Sequence, residues 1–186
     1  MKILQTTIPG CLEIIPRMLL DKRGCFVKTF HRDFFADHGL ETEFAEKYYS
    51  VSEHGVLRGL HFQIPPQSHT KLVYCVSGKV LDVVLDLRIG SPTYGKWQTF
   101  NLNAETPSMI YIPAGLAHGF YVTGDHAVME YLATTIHSPA HDSGILWNSA
   151  RIPWPDENPV ISERDAKFPP LSDFQSPFSY QSKELG

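Results

Sequence analysis

The sequence predicts a mainly β protein, a sandwich or barrel of short antiparallel strands, and two observations carry that prediction. Strand-favouring residues recur in short runs, and Gly, Pro, Asn or Asp punctuate those runs at close intervals. A helical pattern is convincing at one place alone, near residues 31–39, whereas a βαβ sheet would need one between each pair of strands.

The elements follow in chain order. HRDFFADHG (31–39) reads as a short helix closed by Gly39. KLVYCVSGKVLDVVLDLR (71–88) reads as two strands folded into a hairpin at Ser77-Gly78. In its second half Leu81, Val83 and Leu85 alternate with Asp82, Val84 and Asp86. GSPTYG (90–95) is a turn and KWQTFNLN a further alternating strand. PSMIYIPAG is a strand stopped by Pro113 and Gly115. GFYVTGDHAVMEYLATT reads as two strands joined at Gly124-Asp125. Residues 152–171 are rich in proline and polar side chains and are expected to wrap the folded body without adding sheet. Residues 172–186 are expected to be a disordered tail. The whole chain, 1–186, reads as one domain.

Composition removes several function classes. Sixteen Lys and Arg against 20 Asp and Glu give a net charge of -4, with no basic run, so nucleic acid is not an expected partner. No apolar run reaches the ~18 residues that a membrane span needs, so no membrane partner is expected. The N-terminal apolar stretch is broken by Pro9-Gly10 and Glu13 and makes a poor signal peptide. Cys11, Cys25 and Cys75 form no CxxC pair; reduced thiols in a cytoplasmic protein fit best.

The chemistry concentrates around GVLRGLHFQ (55–63) and PAGLAHGF (113–120). The second has the P-x-G-x-x-H spacing of one half of a cupin metal site. The other half would supply H-x-H and a glutamate, but here it reads His61-Phe62-Gln63. Two imidazoles and an amide are a thin set for a transition metal, so no metal is expected. Acid–base chemistry is the alternative. His61, His118 and Tyr131 can project into one barrel mouth, where a histidine accepts a proton near neutral pH and a tyrosine returns one. Lys71 can stabilise an oxyanion. Taken singly, a strand histidine or tyrosine is more often packing, and Lys71 at a strand start more often a solvated charge. Arg58 is harder to dismiss, because an arginine in an apolar run wants a carboxylate or phosphate. Strict alternation puts Arg58 and His61 on opposite faces; a bulge at Gly59 would bring both to one cavity.

These stretches, with DKRGCF (21–26), GSPTYGKW (90–97), SGILWN (143–148), IPWP (152–155) and ISERDAKFPPL (161–171), run in the order of the dTDP-4-dehydrorhamnose 3,5-epimerase family, which the chain resembles from about residue 5 to 171. The resemblance implies a cupin-type jelly-roll β-barrel (double-stranded β-helix) with a few short helices. It implies a homodimer acting without cofactor or metal on a nucleoside-diphosphate 4-keto-6-deoxysugar, in cell-surface polysaccharide (O-antigen) synthesis. By position, His61 is the base, Tyr131 the acid, Asp165 the carboxylate orienting the histidine, and Lys71 the group beside the C4 oxygen. Arg23 and Arg58 become diphosphate ligands and His118 lines the sugar pocket. Phe26 and Gln63 fall among the implied substrate contacts.

Departures from the family pattern fall at other implied contacts. Lys28 stands for a glutamate, and Glu46-Lys47-Tyr48 for Gln-Asp-Asn. Ile136-His137 replaces a Tyr-Tyr pair, Asp142 a glutamate and Arg164 a lysine. These predict either an altered ligand, in nucleotide, sugar or number of carbons inverted, or a swapped ion pair of Lys28 and Lys47 with Glu46.

Overall fold

The computed structural model describes residues 1–181. Eleven strands and one short α-helix make up its regular structure, besides two 3-10 turns. The strands are β1 (Lys2–Gln5), β2 (Leu12–Ile15), β3 (Met18–Asp21), β4 (Gly24–Val27), β5 (Glu46–Glu53), β6 (Leu57–Gln63), β7 (Lys71–Asp86), β8 (Trp97–Asn103), β9 (Met109–Ile112), β10 (Leu116–Ala133) and β11 (Asp142–Gly144). Nine form one antiparallel sheet with a spine ordered β1-β2-β9-β7-β10-β6-β11, while β5 pairs with β10 and β8 with β7. This mainly β, cupin-type arrangement agrees with the expected class. β3 and β4 form a separate two-stranded ribbon.

The two expected hairpins are instead two long strands. β7 runs through Ser77-Gly78 and β10 through Gly124-Asp125, and they pair antiparallel along almost their whole length. Val80 pairs with Val122 and Gly78 with Ala127, so residues 123–126 bulge out opposite Lys79. The glycine signals bend a continuous ribbon where a reversal was expected. Gly78 has φ +80° and faces the His126 carbonyl so closely that no side chain fits. This bend lets each half of β7 find other partners: β9 lies beside its start and β8 beside its end.

The expected alternation over 81–86 does not divide inside from outside. Val84 packs in one apolar cluster and Val83 and Leu85 in another, so both faces of β7 are covered. Asp82 and Asp86 are fully buried and survive there by pairing with His118 and Arg88. The helix, α1 (Arg32–Asp37), is capped by His31 Nδ1 accepting from the Phe34 N–H, and Gly39 closes it at φ +65°.

Residues 152–171 wrap the body as expected, with Trp154 Nε1 donating to the Trp147 carbonyl. The expected tail is in part anchored. Phe178 is buried against Phe62. The Ile89 N–H donates to the Phe178 carbonyl, and the Tyr180 N–H donates to the Ile89 carbonyl. An aromatic anchor, absent from the polar composition argument, explains the difference. Residues 182–186 of that tail lie outside the described residues.

Candidate functional site

The site forms where β5, β6, the start of β7 and the end of β10 meet. β6 carries the expected bulge. His61 pairs with His118 and Arg58 with Phe120, so three steps on β6 match two on β10. Gly59 sits in this irregularity at φ +138°, and a Cβ there would lie 2.6 Å from the Gly119 Cα. Arg58 and His61 consequently line the same recess.

That recess, about 180 Å³, is also lined by Lys71, His118, Tyr131 and Tyr48. A larger cavity of about 690 Å³ adjoins it and shares His61, Lys71 and Tyr48. Glu46, Gln63, His137, Asp142 and Arg164 line the larger space.

His61 is backed by Asp165, which enters from the 3-10 turn Asp165–Lys167. His61 Nε2 lies 2.8 Å from Asp165 Oδ2, and that oxygen also accepts from the Gly59 N–H at 3.1 Å. Burial pushes the Asp165 carboxyl up, but His61, the Gly59 N–H and the Ser162 hydroxyl together hold it below its usual range. An ionised Asp165 makes Nε2 the protonated nitrogen and leaves the lone pair on Nδ1. Burial holds the imidazole below its ordinary pKa, against the pull of Asp165.

Lys71 is 8% exposed, and burial lowers its ammonium to about 8, with Asp142 opposing. Its Nζ reaches the His61 carbonyl at 3.5 Å. Tyr131 is buried, which raises its phenol, and its hydroxyl meets Ser50 Oγ at 3.3 Å. His118 is held by Asp82, Nε2 to Oδ2 at 2.7 Å. Arg58 donates to Ser52 Oγ at 2.9 Å and to the Val51 carbonyl at 3.1 Å. Arg164 bridges Asp142 at 2.8 Å and Asp165 at 3.5 Å.

Three residues expected at the ligand lie elsewhere in this chain. Arg23, Phe26 and Lys28 lie on or beside the β3–β4 ribbon and line neither cavity; Arg23 forks onto Asp21. Gln63 lines the larger cavity, but its amide is spent on backbone: Nε2 donates to the Gln67 and Ile136 carbonyls and Oε1 accepts from the Ser138 N–H. The swapped ion pair anticipated for Lys28 and Lys47 with Glu46 does not form: Lys28 lies at the β3–β4 ribbon, away from Glu46. Strand alternation separates Glu46 from Lys47, so Lys47 pairs with Glu130 at 2.9 Å while Glu46 accepts from the His137 N–H at 2.9 Å.

Sequence reasoning passed over Asp82, Ser50, Ser52 and His69. The serines were findable, since Tyr48, Ser50 and Ser52 sit at alternate positions of one strand. His69 lines the larger cavity, and burial takes its ring down to about 3. Among the described residues, no group of three or more His, Cys, Asp or Glu side chains is placed to hold a metal ion. What the arrangement offers is a base, a phenol and an ammonium around one small volume.

Comparison with known proteins gives a consistent likeness. The family model for dTDP-4-dehydrorhamnose 3,5-epimerase matches residues 5–173. The dTDP-4-dehydrorhamnose 3,5-epimerase of Shigella flexneri is 42% identical over 168 residues, covering 89% of this chain and 93% of that protein. A dTDP-4-dehydrorhamnose 3-epimerase of Streptomyces niveus is 39% identical, covering 89% and 81%. The crystal structure of the Legionella pneumophila dTDP-6-deoxy-D-glucose-3,5-epimerase, in complex with dTDP-4-keto-L-rhamnose, superposes with a TM-score of 0.92 at 34% identity, covering 97% of this chain and 99% of that one.

Proposed function

Since the chain belongs to the dTDP-4-dehydrorhamnose 3,5-epimerase family, and is therefore an isomerase, we propose that it inverts C3 and C5 of a nucleoside-diphospho-4-keto-6-deoxysugar with the residues of this recess. The observation that carries the assignment is that His61, backed by Asp165, and Tyr131 line one recess together with Lys71.

At each carbon, His61 Nδ1 takes the proton α to the C4 ketone. The C–H electron pair moves into the ring and the C4 oxygen becomes an enolate. Lys71 stabilises that oxygen, and its burial makes the charge count for more than it would in water. Tyr131 gives its phenolic proton to the opposite face, forming the new C–H bond. The imidazolium then loses its proton to solvent and the phenolate regains one, so no redox partner is consumed. Arg58 and Arg164 line one outer cleft beside His61, where a diphosphate would meet two guanidinium groups. His118 serves as a wall of the sugar subsite.

The enzyme is proposed to act as one domain in a homodimer. The β3–β4 ribbon supports this, since it exposes Leu20 at 71% and Phe26 at 61% and carries Arg23 away from its own cavity. A ribbon reaching the partner's cavity would return Arg23, Phe26 and Lys28 to a ligand. Free thiols on Cys11, Cys25 and Cys75 suit the cytoplasm, and an O-antigen-type polysaccharide is the proposed destination.

A second reading, inversion at one carbon on a sugar carried by another nucleotide, draws on Tyr48 and His137 in the larger cavity and on the likeness to a 3-epimerase. Calorimetry with dTDP against other nucleoside diphosphates separates the two: preference for dTDP removes the altered nucleotide. A binder without turnover is disfavoured by the presence of His61, Lys71, Tyr131 and Asp165 together. Incubation of a 4-keto-6-deoxysugar nucleotide in D2O should wash deuterium into C3 and C5. Absence of exchange with every such substrate would overturn the enzyme reading.

A further inference from the structure

We infer that Tyr48 is a positioning residue for Tyr131, fixing the phenol ring so that it protonates a single face of the enolate. The inference rests on the proposed role of Tyr131 and adds a residue to it. Tyr48 and Tyr131 are directly opposite one another in the β5–β10 register. Their rings stack at 4.8 Å between centroids and 13° between planes. On its other sides Tyr131 is held by the edge of His118, with centroids 6.2 Å apart at 72°, and by Ser50 at the hydroxyl. Tyr48 supplies a broad, nearly parallel contact along one ring face.

Its place in the cavities matters as much as its contact. Tyr48 lines both the recess and the larger cavity, so its ring stands where the two join. Tyr48 is 41% exposed, so its stacking is not a by-product of core packing. The stack thus gives a lateral support to a phenol also held by His118, by Ser50 and by the core behind it.

Misplacing a proton donor leaves proton removal by His61 intact but slows delivery from the opposite face. The expected signature is a split between two readouts. In Tyr48→Asn and Tyr48→Leu, deuterium should still enter the substrate, while the ratio of exchange to net inversion rises by about tenfold or more. Tyr48→Phe keeps the stacked ring and should keep the wild-type ratio. Independently of turnover, NMR of ring-labelled tyrosine should show Tyr131 with distinct edge signals in wild type and Tyr48→Phe, and averaged signals in Tyr48→Leu. Exchange and inversion falling together in Tyr48→Leu, or Tyr131 signals unchanged by it, would overturn the inference. Wild-type protein without any exchange would overturn the epimerase reading alone, and the ring signals would still decide the positioning.

Discussion

His61 and Asp165 are 104 positions apart in sequence, yet their side chains meet at 2.8 Å, with Asp165 5% exposed and His61 28% exposed. The carboxylate also takes the Gly59 N–H, so it fixes both the ring and the irregular backbone beside it. Removing its charge while keeping its shape separates orientation from packing. Asp165→Asn should lower kcat/KM by about 10²-fold or more, because the amide no longer enforces protonation at Nε2. Substrate affinity measured by calorimetry should change little. An activity within twofold of wild type would remove the dyad from the mechanism.

Two groups set opposite limbs of the pH profile. His61 must be neutral, and burial holds it below its ordinary value of 6.5, so activity is lost on acidification only below 6.5. Lys71 must be charged, and burial lowers it to about 8, so activity is lost as pH rises through about 8. The kcat/KM profile should be a bell bounded by these limbs. Lys71→Arg should retain charge at high pH and flatten the alkaline limb, whatever it costs in rate. An alkaline limb unchanged in that variant would reassign it.

Gly59 places Arg58 and His61 on one side of β6. At φ +138°, with only 2.6 Å from the position of an added methyl to the Gly119 Cα, alanine has neither the conformation nor the room. Gly59→Ala should destabilise by about 1–3 kcal/mol through backbone strain and lower activity beyond the loss of folded protein. Activity per folded molecule, corrected by circular dichroism, checks this. Normal specific activity would show that the bulge does not aim the site.

Asp86 anchors the far end of β7 through Arg88, Ser91 and Thr93. It is fully buried, and Arg88 is 10% exposed, so Asp86→Ala leaves an uncompensated buried cation. The expected cost is about 3–5 kcal/mol in denaturant unfolding. Burial raises Asp86, but these partners hold it below its usual range. A depressed carboxyl contributes stability above its unfolded pKa, and loses it as pH falls through the folded value. His69 acts in the same direction. It stays neutral in the fold down to about 3, while the unfolded ring protonates below about 6.5. Stability should therefore decline on acidification below 6.5, the Asp86 part only at the acid end and only in the wild type.

The elements most legible in the sequence were those whose signal is local. The helix at 31–39 is closed by Gly39, and the bulge at Gly59 followed from an arginine and a histidine that could not otherwise share a cavity. The errors came from signals with two physical outcomes. A glycine pair that reverses a chain also bends one, and the choice between them was made by β7 and β10 pairing with each other across both bends. Alternation over 81–86 says nothing of which faces are covered, and a strand covered on both sides buries its carboxylates with partners 36 and 2 residues away. The base, acid and ammonium were visible as residue types. The Tyr48–Tyr131 stack and the Asp82 partner of His118 became visible only once β10 lay between β5 and β7, because cross-strand neighbours leave no trace in linear spacing.

Everything proposed for this site depends on His61 and Tyr131 acting on opposite faces of one enolate, and stereochemically resolved exchange reads out each face separately. Wild type, His61→Ala and Tyr131→Phe are each incubated with a 4-keto-6-deoxysugar nucleotide in D2O, and C3 and C5 are followed by NMR. Wild type should show deuterium with inversion, His61→Ala no exchange at either carbon, and Tyr131→Phe exchange without productive inversion. Full inversion in both variants would refute the assignment of base and acid.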